Sequence, residues 1–160
     1  MNRIVLRQIH VISLLVVALL SIYADATAGV TVEKISEAAL DELIYSDQKK
    51  LVVTFMAAWC GPCIDELPAL NKLHQKYSAK GFNLIGISID LEGPQAMQPI
   101  IDKLKIGFPV YWYGETAIQK YSIFAIPMII WVQDGRIVER LPGRRSEKEL
   151  DKKIRKFLDL

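Results

Sequence analysis

The chain has two cysteines, and they stand in one short motif, Trp59-Cys60-Gly61-Pro62-Cys63. Two thiols at this spacing have three uses: thiol–disulfide exchange, metal ligation, or a staple. A zinc site takes three or four protein ligands. No second Cys-x-x-Cys or Cys/His pair exists, and the only histidine beyond residue 28 is His74. His74 reads as an ordinary, partly exposed helix residue. A disulfide closing so short a loop restrains the unfolded chain little and is a poor staple. Redox exchange is the reading that the context favours, because the motif follows a strand-like apolar run and opens a helical pattern.

The placement has a physical reason. A thiol with a pKa near about 8.5 is scarcely ionised at neutral pH. The free N–H groups of a helix N-terminus favour the thiolate. Cys60 is expected at that end, exposed, as the nucleophile. Cys63, one turn in, is expected to be covered and to resolve the mixed disulfide.

The elements that must position this pair follow from periodicity. Val30 to Ile35 reads as a first strand, and Ser36 caps a helix over Glu37 to Tyr45. A polar turn runs from Ser46 to Lys50. Leu51 to Met56 is almost wholly apolar, as a strand buried on both faces is. A helix from Cys60 to Ser78 follows, with Leu67, Leu70 and Leu73 on one side, a kink expected at Pro68 and a stop at Gly81. Phe82 to Ile89 is a second buried strand, followed by a loop over Asp90 to Pro94. Gln95 to Lys105 is a helix, Phe108 to Trp112 an extended piece and Thr116 to Tyr121 a helical turn or two. Asp134-Gly135 joins the strands Met128 to Gln133 and Arg136 to Leu141 in a hairpin. Ser146 caps a last helix to Leu160. This order predicts an α/β fold, a mixed central sheet with helices on both faces.

Residues 1–28 read as a signal peptide or an N-terminal membrane anchor. Arg3 and Arg7 precede the apolar run Val11 to Tyr23, and small residues follow. Residues 29–160 then form one domain working outside the cytoplasm, in a periplasmic or similar compartment where disulfides persist. The formal charge of +2 gives no support for nucleic acid as a partner. Cations thicken between Arg136 and Lys156 but are interleaved with Glu and Asp. That is the pattern of a solvated face; an acidic partner or membrane headgroups are the functional alternatives.

Trp-Cys-Gly-Pro-Cys after Leu51 to Ala58, with Ala125-Ile126-Pro127 and Asp134-Gly135 downstream, resembles the thioredoxin superfamily. Glu66-Leu67-Pro68 resembles the Glu-x-Pro segment of its TlpA/ResA-like extracytoplasmic branch. The stretch from Gly86-Ile87-Ser88-Ile89-Asp90 through Phe108-Pro109-Val110 resembles that branch's strand-helix insert. The resemblance implies a thioredoxin fold and a redox-active Cys60–Cys63 disulfide. It implies that Pro127 is a cis-proline facing the cysteines and that Ile126 offers main-chain hydrogen bonds to a bound strand. It also implies that Glu66 accepts the proton of Cys63. Trp59, Gly61 and Pro62 would border the substrate. Two positions depart from the pattern. Thr54 stands where thioredoxins often bury an Asp, and Met128 follows Pro127 where Thr is commoner.

The leading expectation is a monomeric, exported reductase of client disulfides, apocytochrome c being one client class the resemblance implies. No cofactor motif is present, since no G-x-G-x-x-G follows a strand. Electrons would come from a membrane donor of the thiol–disulfide type. A disulfide oxidant or isomerase is the alternative. A copper metallochaperone using Cys60 and Cys63 needs a third soft ligand, for which Met128 is the candidate. A redox-silent chaperone would survive loss of both cysteines. A peroxidase reading lacks a Thr-x-x-Cys setting.

Overall fold

In the computed structural model, residues 29–46 and 50–160 are described. The leader expected over residues 1–28 lies outside them, as does most of the turn around Asp47. Among the described residues no helix is long and apolar enough to cross a membrane.

Six strands form one sheet in the order β1-β4-β3-β2-β5-β6. β2 (Lys50–Met56) and β3 (Asn83–Ser88) are its centre. They pair in parallel from Leu51↔Asn83 to Met56↔Ser88, and almost every residue in both is buried. β4 (Val110–Trp112) continues the parallel part. β1 is only Glu33–Lys34, which pairs with Tyr111 and Trp112. The longer strand expected over Val30 to Ile35 is thus cut to two edge residues. Val32 instead gives its N–H to the Gln98 side chain, at 2.7 Å, so its backbone is satisfied outside the ladder.

β5 (Met128–Gln133) runs antiparallel to β2, and β6 (Arg136–Pro142) closes the far edge. The hairpin between them has φ 51° at Asp134 and 67° at Gly135. Both central residues of a type I′ turn need positive φ. A Cβ on Gly135 would also meet the Tyr45 carbonyl oxygen at 2.6 Å, so glycine is required there twice over.

Helices cover both faces. α1 (Glu37–Tyr45) starts where Ser36 accepts the Ala39 N–H, and it buries Leu40 and Ile44. Its outer side is tied to α4 (Thr116–Lys120) through Lys120 and to Tyr121 through Asp41. α2 (Gly61–Tyr77) passes through Pro68 without ending, tightens into a 3₁₀ turn at Ser78–Lys80, and stops at Gly81 with φ 87°. α3 (Pro94–Leu104) begins one residue earlier than expected, since proline suits the first helical position. α5 (Glu147–Phe157) is started by a capping box between Ser146 and Glu149 and buries Leu150 and Ile154. Strand pairing brings the end of β2 beside both the end of β3 and the start of β5, at Met56↔Ser88 and Phe55↔Met128. Three loops therefore meet at one end of the sheet: residues 57–60, 89–93 and 122–127.

Candidate active site

Cys60 ends the first of these loops as the N-cap of α2, and Gly61 and Pro62 occupy its first turn. Cys60 and Cys63 are joined as a disulfide. The Cys63 N–H donates to the Cys60 sulfur at 3.2 Å. This is what an N-cap side chain does for a helix start, with sulfur in place of the usual oxygen. It also corrects one expectation. Cys60 is 6% exposed rather than open, because its sulfur folds back over the helix end; Cys63 is covered further, at 2%. Gly61 and Pro62 are exposed, and a Cβ on Gly61 would touch nothing within 4 Å. Trp59 projects outward, 66% exposed.

The third loop brings Pro127. The Ile126–Pro127 bond is cis. The Pro127 carbonyl accepts the Gly143 N–H at 2.7 Å, which pins the loop to the end of β6. Neither the N–H nor the carbonyl of Ile126 has a hydrogen-bond partner among the described residues. Its main chain is a short unpaired edge at the end of the sheet that carries the cysteines. Met128, immediately after it, is fully buried in β5.

Glu66 lies three residues after Cys63, on the same side of α2. It is 1% exposed. Its Oε1 accepts the Arg145 N–H at 2.6 Å, and its Oε2 has no partner among the described residues. Burial raises the carboxyl from 4.5 to about 7, against the opposing pull of the Arg145 N–H and of the Arg145 and Arg144 charges. Desolvation disfavours the ionised form more than one hydrogen bond favours it. Thr54, buried in β2, offers a hydroxyl but no acid. His74 is half-buried further along α2, edge-on to Phe108, and burial lowers its pKa.

Two groups escaped the sequence reading. Asp90 is fully buried two residues past the end of β3. Both of its carboxylate oxygens accept the Ala58 N–H, at 2.9 and 3.1 Å, and one accepts the Ser88 hydroxyl at 2.7 Å. Trp112 Nε1 donates to its main-chain carbonyl at 2.6 Å. Asp90 thus clamps the loop that delivers Cys60. The available signal was an acid ending a strand of otherwise buried residues. The other missed group is the Arg145 N–H, and a main-chain donor leaves no mark in sequence.

A closed Cys-x-x-Cys at a helix start, across from a cis-proline on a thioredoxin fold, defines a dithiol–disulfide protein of the thioredoxin class. The chain matches the AhpC/TSA family over residues 25–140 and belongs to it. It is similar to the thiol-disulfide oxidoreductase ResA of Bacillus anthracis, 29% identical over 111 residues, or 68% of this chain and 64% of that one. The chain therefore spans just under two thirds of the length of such curated relatives. Its fold is similar to that of a putative thiol:disulfide interchange protein DsbE from Chlorobium tepidum. That match has a TM-score of 0.64 and 20% identity, and covers 81% of this chain and 96% of that one. A secreted Mycobacterium tuberculosis disulfide oxidoreductase, homologous to Escherichia coli DsbE, has the same fold. Its TM-score is 0.59 at 20% identity, over 68% of this chain and 81% of that one.

Proposed function

We propose that the protein is a thiol–disulfide oxidoreductase that works outside the cytoplasm and reduces disulfides in client proteins. The observation that carries the reading is a half-satisfied buried carboxylate, Glu66, one turn beyond Cys63, with its pKa raised to about 7.

The chemistry follows in two displacements. The Cys60 thiolate, stabilised by the start of α2, attacks one sulfur of a client disulfide. A Cys60–client disulfide forms and the other client thiolate leaves, taking a proton from solvent. Glu66, ionised, accepts the Cys63 proton. The Cys63 thiolate attacks the Cys60 sulfur, closes the Cys60–Cys63 disulfide and expels the second client thiolate. The second client thiolate takes the proton held on Glu66, so two electrons have passed to the client with one proton from solvent and one relayed from Cys63. The unpaired main chain of Ile126 suits a bound client strand, held beside Pro127 as an added strand would be. Trp59, Gly61 and Pro62 face outward to border it. A membrane dithiol donor would reset the pair, and residues 1–28 would export or anchor the chain. Apocytochrome c thiols are one class of client.

The test is the midpoint potential of the Cys60–Cys63 couple together with exchange by Cys60→Ser. A potential near or below about −230 mV and complete loss of exchange in the variant support the reductase. A potential of about −180 to −120 mV makes the protein an oxidant or isomerase instead. Exchange that survives Cys60→Ser rules out the redox role.

A further inference from the structure

The end of the chain carries cations that the proposed chemistry does not use. Lys148, Lys152 and Lys156 recur every fourth residue along α5. Like charges at that spacing destabilise a helix, so the run works against the element that bears it. The acids of the same segment are engaged elsewhere. Glu139 holds Lys153, Glu147 holds Lys72, and Asp151 holds Lys76 and the Tyr77 hydroxyl. Asp159 holds Lys50, and Glu149 is half of the capping box. Arg144, Lys148, Lys152 and Lys156 have no carboxylate partner among the described residues.

Two of these cations, Lys152 and Lys156, border a groove. Arg145, Glu149, Lys152, Lys153 and Lys156 line about 310 Å³ of space over Leu141. The helical residues Glu147 to Lys156 rise about 14 Å along α5, room for about four residues of extended peptide. One end of the groove adjoins the site. Arg145 gives its N–H to Glu66, and Gly143 gives its own to Pro127. A chain lying along Ile126 and Pro127 would thus meet Arg144 and Arg145 first.

We infer that this groove docks an acidic segment of the client, close in its sequence to the cysteine that reacts with Cys60. The inference rests on the proposed exchange reaction and adds its substrate class. Opposite charge on the two partners speeds encounter and fixes register. Once the segment is seated, the client disulfide is held near Cys60 at high effective concentration. A peptide can follow a concave groove and cover its apolar floor at Leu141, whereas a flat bilayer would reach the lysine tips and leave that floor uncovered.

The experiment uses the reduced full chain and three peptides that share one disulfide loop. Their flanks are acidic, neutral or basic. At low salt the acidic peptide is expected to oxidise the dithiol about tenfold faster than the neutral one. About 0.5 M salt is expected to shrink that advantage. Lys152→Glu with Lys156→Glu, both exposed, is expected to abolish the advantage while the neutral peptide keeps its rate. Equal rates for acidic and neutral peptides overturn the inference. So does an advantage that persists in the double variant, or a charge preference seen only as binding to phosphatidylglycerol vesicles. Neutral exchange without acidic preference leaves the oxidoreductase standing and removes the groove. Failure of all three peptides removes both.

Discussion

Two buried carboxylates bracket the cysteine pair, and they are held in opposite ways. Asp90 grips the chain two residues before Cys60 with both oxygens, and a serine hydroxyl adds a third bond. Glu66, one turn after Cys63, has one main-chain donor and one oxygen with no partner among the described residues. Both are essentially inaccessible to water. Burial is therefore not what separates them; the number of donors supplied is. Three bonds make Asp90 a clamp on its loop, whereas Glu66, buried with one donor, has its pKa raised to about 7 and is poised to take a proton.

The sharpest break in that comparison is Asp90→Ala. It leaves the Ala58 N–H and the Ser88 hydroxyl without their buried acceptor. The expected loss is about 3 kcal/mol, read by denaturant unfolding. Asp90→Asn keeps one acceptor oxygen and should recover part of it.

Glu66→Gln is expected to act in the other direction. The folded pKa of about 7 lies above the ordinary 4.5. Wild-type stability attributable to this group is thus full below about pH 4.5 and is lost as pH rises through about 7. The glutamine variant should be more stable than wild type by about 2 kcal/mol at pH 8 and should lose that advantage near pH 4. Its exchange rate should fall and lose the limb that rises through about pH 7. A variant that is no more stable at pH 8 would mean that Glu66 is as well supplied as Asp90.

Trp112→Phe removes the indole bond to the Asp90 carbonyl and trims a ring that packs against the core and under Lys34. About 1 kcal/mol is expected, by thermal or chemical unfolding. Gly61→Ala is the smallest change, within about 0.5 kcal/mol, because the new methyl group meets nothing. A larger loss there would mean that the first turn of α2 tolerates less than its open surroundings indicate.

Much of this was legible in the sequence where a signal is local. Ser36 marks the start of α1, and Asp134-Gly135 marks a hairpin whose first strand is Met128–Gln133, as expected. Unbroken apolar runs identify β2 and β3. β1 was overestimated because Val30 to Ile35 reads as a strand whatever it pairs with, and only two of its residues meet β4. The site divides in the same way. The cysteines declare themselves by spacing, and Glu66 and Pro127 by resemblance. The burial of Cys60 depends on how an N-cap side chain turns. Asp90 and the Arg145 N–H act through contacts 32 and 79 residues away in sequence. No local pattern encodes such partners.

The antiparallel placement of β5 beside β2 also has a consequence for assembly in time. The cysteines belong to the first half of the chain, whereas the cis-proline loop, the Gly143 anchor and the Arg145 donor all come from the second. A polypeptide emerging N-terminus first presents its thiols long before the parts that surround them exist. The two sulfurs, three residues apart, need only each other and a disulfide oxidant to pair, so their bond can close in an otherwise unfinished chain. The acid beside them acquires its surroundings only when the last quarter has packed, since contacts at such separation form late. Chains cut short after β5 would therefore keep their sulfur chemistry and Glu66 but lose the Arg145 donor that holds that acid.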